Sequence, residues 1–288
     1  YYEPKKRGLV VKINIDEGEK YKFRNFTWEG HSLYETEILE NTLNLQSGDA
    51  FSQSGFDEAV YQNVQSLYMD RGYLYSNIEP SFTPVGDDSL DVHFSITENN
   101  QVYIRNINIY GNEKTRENVI RRELDVFPGD LFRRTLLQRS MRKLHVLNYF
   151  DPTSLSPNVV PVDEDEVDLD ISLSEKSSDK ASANIGFTGI YGMTGGANIE
   201  FNNFLGMGQM LSFGFDVGTQ VSVYNYGTPG KYESFHLRFV DPMFRDTPNR
   251  IGFSLFYTYR GQGNSYYFYP FDMLSRGGSI QWGRRMKW

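Results

Sequence analysis

Few residues in this 288-residue sequence are spaced to do covalent chemistry. The four histidines, His31, His93, His145 and His236, are widely separated and form no pair at metal-ligand spacing. Cysteine is absent, which removes thiol nucleophiles, thiolate metal sites and disulfides. Gly206-x-Gly208 lacks the third glycine of a dinucleotide loop. Neither a Gly-x-Ser-x-Gly elbow nor a Walker phosphate loop occurs. The acidic run Asp163-Glu164-Asp165-Glu166 offers oxygen ligands for Ca²⁺ but lacks the central glycine and closing glutamate of a calcium loop, and reads as a solvated hairpin loop. Arg121-Arg122 and Arg133-Arg134 sit in a net-acidic region, which argues against a nucleic-acid partner. The expectation is a protein that is not an enzyme, uses no cofactor, and works through its surfaces.

The elements that shape those surfaces fall into two kinds of polypeptide. Residues 1–180 carry 20 Lys+Arg against 31 Asp+Glu, net −11, with 9 glycines. Residues 181–288 carry net +3, 17 glycines and 23 of the 44 aromatic residues. No run of about 18 apolar residues occurs, so no transmembrane helix is expected.

The first part is a repeat. Leu9-Val10-Val11-Lys12-Ile13-Asn14-Ile15-Asp16-Glu17 recurs as Leu90–Glu98 and again as Val167–Glu175, at offsets of 81 and 77 residues. Each copy alternates apolar and polar residues and closes on a glutamate, the pattern of a strand with one buried face. Phe23–His31 matches Ile104–Asn112, a strand ending in a glycine turn, and Gly48-Asp49-Ala50-Phe51 matches Gly129-Asp130-Leu131-Phe132. Helical patterns cover Glu37–Leu45 and Glu117–Val126, with the following glycine expected near the C-terminal cap. A second helix carries Phe56, Val60, Val64 and Leu67, and its counterpart Leu137, Met141 and Leu144. Each unit therefore reads strand, helix, helix, strand, strand.

The second part alternates with period two over about six stretches. Leu211, Phe213, Phe215 and Val217 form one apolar series, Phe235, Leu237 and Phe239 another, and Ile251, Phe253, Leu255, Tyr257 and Tyr259 a third. The opposite face holds Glu200, Asp216, Arg238, Arg260 and Arg285, which a packed soluble core would not tolerate. Phe256, on the polar face, and Glu233, near a strand start, break the pattern. A bulky uncharged face opposite a polar one fits a transmembrane barrel wall.

These residues carry a resemblance. The strand closing on Gly-Asn, the Gly-Asp-x-Phe between helices, Tyr68-x-x-x-Gly72-Tyr73 and the terminal Glu resemble the POTRA domain, the periplasmic repeat of outer-membrane assembly proteins. The second unit has Asn148-Tyr149-Phe150-Asp151 in place of Gly-Tyr, as in units that close such an array. Asn203-Phe204-Leu205-Gly206-Met207-Gly208 and Asp241-Pro242-Met243-Phe244 resemble hairpin turns of BamA-type barrels. The resemblance implies α+β POTRA repeats (β-α-α-β-β) followed by antiparallel transmembrane β-barrel strands, about six of sixteen. The implied boundaries are 1–18 for the end of a preceding unit, 19–99 and 100–177 for two POTRA domains, and 178–288 for barrel strands. About ten further strands and a Val-Arg-Gly-Phe lid motif would lie outside this sequence.

The implied function is assembly and insertion of outer-membrane β-barrel proteins in the bacterial outer membrane, with the repeats in the periplasm. A TamA-like or two-partner secretion translocator, or a soluble adaptor fused to a β-rich binding domain, are the alternatives. Exposed strand edges can add an extended client strand by backbone pairing. The expected edges are the second strands of the two units, around Ile78, Glu79 and Phe82 and around Leu155, Val159 and Val160. By resemblance, Ala181, Ser182, Ala183, Asn184, Ile185, Gly186, Phe187, Thr188 and Gly189 form the weak seam of a lateral gate. A strand low in bulky β-formers pairs less stably, which gives such a seam a physical basis. The resemblance further implies docking of accessory lipoproteins on the last unit, with the exposed charges of Arg116, Arg121, Arg122, Glu164 and Glu166 as candidates, and contact with outer-membrane lipid.

Overall fold

The computed structural model describes residues 11–14, 20–188, 192–219, 231–261 and 271–286. Of the strand expected over Leu9–Glu17, residues 11–14 carry no regular structure and the others lie outside the described residues. The chain divides into two compact units, Tyr1–Tyr103 with Leu131–Thr135, and Ile104–Asp130 with Leu136–Trp288.

In the first unit β1 (Lys22–Glu29) is followed by α1 (Thr36–Leu43). Next come α2 (Gln53–Asp57) and α3 (Gln65–Met69), joined by the π-helical stretch Glu58–Val64, and then β2 (Asn77–Val85) and β3 (Ser89–Thr97). The sheet order is β1-β3-β2, with β1 parallel and β2 antiparallel to the central β3. Alternation along β3 puts Leu90, Val92, Phe94 and Ile96 on the buried face. They pack with Leu39, Leu43, Phe56, Val60, Val64 and Tyr68 of the helices. Each such side chain contributes about 1.5–3 kcal/mol by leaving water.

The second unit repeats this plan with β4 (Tyr103–Tyr110), α4 (Glu117–Arg121), α5 (Arg134–Leu147), β5 (Ser156–Pro161) and β6 (Glu166–Ser172), in sheet order β4-β6-β5. Tyr103, Arg134 and Thr135 of these elements cluster with the first unit.

The recurrent residues do recurrent work. The Gly-Asp turn docks on the first strand: Gly48 N donates to Phe23 O (2.7 Å) and Phe23 N to Asp49 O (3.0 Å). Its counterpart has Gly129 N donating to Ile104 O (2.7 Å) and Ile104 N to Asp130 O (2.8 Å). The terminal glutamates are loop caps. Glu98 accepts from Ser32 N (2.7 Å) and Leu33 N (2.8 Å), and Glu175 from Lys114 N (2.8 Å) and Thr115 N (2.6 Å). Gly111 has φ +90, and an added Cβ would lie 1.9 Å from Leu173 O, so only glycine lets the loop approach the strand this closely. Arg24–Asp91 and Arg105–Asp168 are equivalent ion pairs across β1/β3 and β4/β6.

Two expectations about helix ends are corrected. α1 stops at Leu43, and Asn44, left-handed at φ 53, is its cap, with its N–H donating to Glu40 O. α4 ends at Arg121, well short of Val126. Gly48 and Gly129 belong to the docking turns because their carbonyl and amide partners lie on the first strand, not on the helix.

The second unit also contains a six-stranded antiparallel sheet in order β12-β11-β10-β9-β8-β7. Its strands are β7 (Lys180–Thr188), β8 (Gly192–Phe204), β9 (Gln209–Thr219), β10 (Lys231–Asp241), β11 (Asn249–Arg260) and β12 (Met273–Arg284). Register aligns the apolar residues into continuous rows. Ile199, Phe213, Leu237 and Leu255 form one, and Phe201, Leu211, Phe239, Phe253 and Ile280 another. This face is open: Phe215 is 49% exposed, Leu255 50% and Ile280 86%. Among the described residues the sheet is not closed, and β7 and β12 are its edges.

Candidate functional site

An unpaired sheet edge is useful only where its amides are present and accessible. β2 and β5 are outer strands, and each carries two prolines four residues apart, Pro80 and Pro84, and Pro157 and Pro161. In an antiparallel ladder, residues alternate between facing the neighbour and facing outward, and proline, which has no N–H, fits only the outward positions. Pro80 stands opposite Phe94 and Pro157 opposite Ile171. The outward residues are therefore Ile78, Pro80, Phe82 and Pro84 in β2, and Pro157, Val159 and Pro161 in β5. Ile78 is 2% exposed, so its amide is covered. An added strand finds one accessible donor on each edge, at Phe82 (40% exposed) and at the half-buried Val159.

The neighbouring candidates lie close by. Glu79 is exposed and accepts from Asn77 Nδ2 (2.6 Å). Val160 is half-buried in β5. β5 begins at Ser156, so the candidate Leu155 precedes the strand. Ser154 is held in a turn, donating from Oγ to Asp151 O (2.8 Å) and accepting from Ser174 N (2.8 Å).

β7 is a different kind of edge. It contains no proline, pairs only with β8 among the described residues, and is exposed throughout Lys180–Phe187. Ala181 and Ala183 lie opposite Ile199 and Ala197, and Asn184 and Ile185 lie opposite Gly196 and Gly195. β7 is thus poor in bulky side chains and pairs largely with the small-residue stretch of β8, whereas β9–β11 are rich in them. Gly189 lies outside the described residues.

The polar face is a mesh built over glycines. A Cβ on Gly196 would lie 2.1 Å from Asp216 Oδ1 and 2.9 Å from Asn184 Oδ1, so the two side chains converge over it. Over Gly214, His236 Nε2 and Asn198 Oδ1 are 3.2 Å apart. The exceptions in the pattern have local reasons. Phe256 covers Gly277, whose added Cβ would meet its ring at 2.9 Å. Glu233 is paired with Lys231, two residues away on the same face.

The hairpin turns dock on α4 and its flanks. Gly206 O accepts from Arg116 N (2.9 Å), and Asn203 Nδ2 donates to Thr115 Oγ1 (2.8 Å). The buried Tyr149 hydroxyl lies 3.4 Å from Gly208 O. In the next turn Arg245 and Asp246 are both left-handed, at φ 54 and 56, which aims the Asp246 carboxylate at α4. It accepts from Asn118 Nδ2 (3.1 Å) and Arg122 Nη1 (3.0 Å). Hydrogen bonding from Asn118 and then Arg122 holds Asp246 below the usual carboxylate range despite partial burial.

Arg285, expected on the polar face of the sheet, lies beyond the end of β12. Its Nη1 donates to the buried Glu123 carboxylate at 2.8 and 3.0 Å. The unpaired alternative, a buried carboxylate without a cation, would cost several kcal/mol.

The five charge candidates divide accordingly. Arg122 is not an exposed charge: its side chain is 9% exposed and held by the sheet. Arg121 is 42% exposed, bonded to Glu117 and to Ile107 O. Arg116 and Glu164 are exposed, and Glu166 is half-buried at the start of β6. The two ion pairs on adjacent residues, Arg122 with Asp246 and Glu123 with Arg285, were missed in sequence because their partners are 124 and 162 residues apart.

Lowered carboxylate affinity for protons gives the junction a pH limit. A depressed folded value means that the Asp246 contribution is complete above the ordinary value, about 3.9, and is lost as pH falls below it. Docking of the turn, followed by a spin-label pair on residues 117 and 244, which flank the contact without making it, should hold from neutral pH down to about 5 and weaken below about 4. Asp246→Asn should flatten that dependence.

Comparison with known proteins follows the same division. The family model described as POTRA, surface antigen variable number repeat, matches residues 21–99 and 102–176. The outer membrane protein assembly factor BamA of Nitratidesulfovibrio vulgaris is 27% identical over 245 residues, covering 83% of this chain and 29% of the relative. That of Neisseria meningitidis serogroup B is 28% identical over 202 residues, covering 69% and 25%. Among solved structures, BamA from Haemophilus ducreyi lacking POTRA domains 1–3 has a TM-score of 0.57 at 16% identity, covering 91% of this chain and 58% of that one. The chain thus spans well under half the length of these curated relatives.

Proposed function

Because the chain belongs to the POTRA family and is BamA-like in its repeats and its sheet, we propose that it assembles and inserts β-barrel proteins of the bacterial outer membrane. In this reading the sheet sits in the membrane with its Phe- and Leu-rich face toward lipid, and the repeats stand in the periplasm. Its clients are unfolded outer-membrane proteins. Each adds a strand to β7, which acts as a template at a lateral gate, and no catalytic group or cofactor takes part. Accessory lipoproteins dock on the second repeat through Arg116, Arg121, Glu164 and Glu166, whereas Arg122 is already committed to the sheet.

The observation that carries the reading is the contrast between edges. The β2 and β5 edges of the repeats are blunted by proline, while β7 keeps every backbone donor and borders an apolar face. Proteins normally blunt long exposed edges because these pair with other chains. In hydrocarbon, an unpaired edge amide costs several kcal/mol, so an open β7 favours capture of a strand that supplies the missing partners. The test is reconstitution: vesicles carrying the whole protein should fold an added, urea-unfolded outer-membrane β-barrel client at least tenfold faster than empty vesicles. Equal rates would refute the proposal.

A further inference from the structure

The junction between the second repeat and the sheet contains a pocket of about 370 Å³ whose charged lining is Arg122, Glu123, Asp125, Arg139, Lys143 and Arg285. Four cations face two carboxylates there. The carboxylates hold the cations in place without exhausting them. Asp125 accepts from Arg139 Nε (2.7 Å) and Lys143 Nζ (2.6 Å), and Glu123 from Arg285 Nη1 (2.8 Å). A guanidinium has five N–H donors and an ammonium three. Arg139, Lys143 and Arg285 therefore keep donors to spare, and their side chains are 48%, 30% and 52% exposed. Arg122 Nε is buried and has no hydrogen-bond partner.

The pocket's position completes the argument. It lies where β10, β11 and β12 end beside the second repeat. Ile251 opposite Trp282 is the last apolar pair of the exposed face, and the next pair on that face is Asn249 opposite Arg284. Trp282 is 71% exposed. Aromatic side chains next to cations at the end of an apolar strand face match the layer where lipid headgroups lie. Met243, Pro248 and Met286 give the pocket an apolar lining beside its charges.

We propose that this pocket binds the phosphate of an anionic phospholipid from the leaflet next to the repeats. The proposal rests on the membrane reading above. Spare donors of Arg139, Lys143 and Arg285 take the phosphate oxygens, and the acyl chains run out over Met243 and Met286 onto the apolar face near Ile251 and Trp282. The lipid would then bridge α5 to the ends of β11 and β12, tying the second repeat to the membrane surface.

The test uses the whole protein in phosphocholine-detergent micelles, titrated with dihexanoyl phosphatidylglycerol, dihexanoyl phosphatidylcholine or inorganic phosphate and read by native mass spectrometry. Phosphatidylglycerol should bind at least tenfold more tightly than phosphatidylcholine. The preference should fall below threefold in Arg139→Gln/Lys143→Gln, and equally in the triple variant that adds Asp125→Asn, which leaves no orphaned carboxylate and guards against misfolding. Equal binding of the two lipids, or a preference retained in the triple variant, overturns the proposal. Displacement of phosphatidylglycerol by an equal concentration of inorganic phosphate also overturns it, by making this a free-anion site. Quenching of Trp282 by brominated lipid separates the two readings: absent quenching sinks the membrane reading itself, whereas quenching without lipid preference sinks only the headgroup site.

Discussion

Replacing Gly206 with valine is expected to detach the hairpin turns from the second repeat while both parts stay folded. Gly206 has φ +70, a region that a β-branched residue avoids, and an added Cβ would lie 1.9 Å from Lys114 O. The obstacle is backbone, which cannot rotate away as a side chain can. Strain and overlap together cost on the order of 3 kcal/mol, and the turn escapes most of the overlap by lifting off α4. The contacts from Gly206 O to Arg116 N and from Asn203 to Thr115 are lost as it lifts. A cost of that size lowers the docked population about a hundredfold. Spin-label distances between α4 and the turn should lengthen and broaden, with circular dichroism unchanged. Gly86→Val is the matched control, since its added Cβ meets nothing within 4 Å at a similar φ of +69.

Proline placed at successive positions of β7, from Ser182 to Gly186, should divide the strand into two classes with period two. At positions facing β8 it breaks the first hairpin. At positions facing outward it leaves the hairpin paired and removes one donor from the edge. Each outward proline leaves a client carbonyl unsatisfied in hydrocarbon, at several kcal/mol, so client folding in vesicles should slow more than tenfold. The complementary change tests the other edges. Alanine at Pro80, Pro84, Pro157 and Pro161 restores donors on the repeats and should change the same rate less than twofold.

How far the sequence spoke depended on how local its signals were. The repeats were legible because the strand copies Leu90–Glu98 and Val167–Glu175, the Gly-Asp turns and their closing glutamates recur in register, and each has a partner within its own unit. The sheet was legible because alternation of Phe213, Phe215, Phe235 and Phe253 with small polar residues needs no knowledge of pairing. The end of α1 was misplaced because Gly48 looked like a cap, while Asn44, also able to adopt the left-handed conformation, took that role. The second strand of each unit was legible as an edge, yet the burial of Ile78 depends on packing that no local pattern records.

The junction was the least legible part. Arg122 and Arg285 read as exposed or sheet-facing charges because nothing near them in sequence names Asp246 or Glu123 as partners. Likewise Phe256 breaks the alternation locally because it covers Gly277, a cross-strand neighbour set by register. Polar residues whose partners lie more than a hundred positions away are placed by the tertiary fold, and their roles follow from it.

The central claim is that β7 receives client strands, and site-resolved photo-cross-linking in client-folding vesicles tests it most directly. A photoreactive residue would be placed in turn at each position from Ala181 to Phe187, and at Phe82 and Val159 on the blunted edges. The account predicts client adducts along β7 and few or none at Phe82 and Val159. Abundant adducts at Phe82 or Val159 with none along β7 would contradict it.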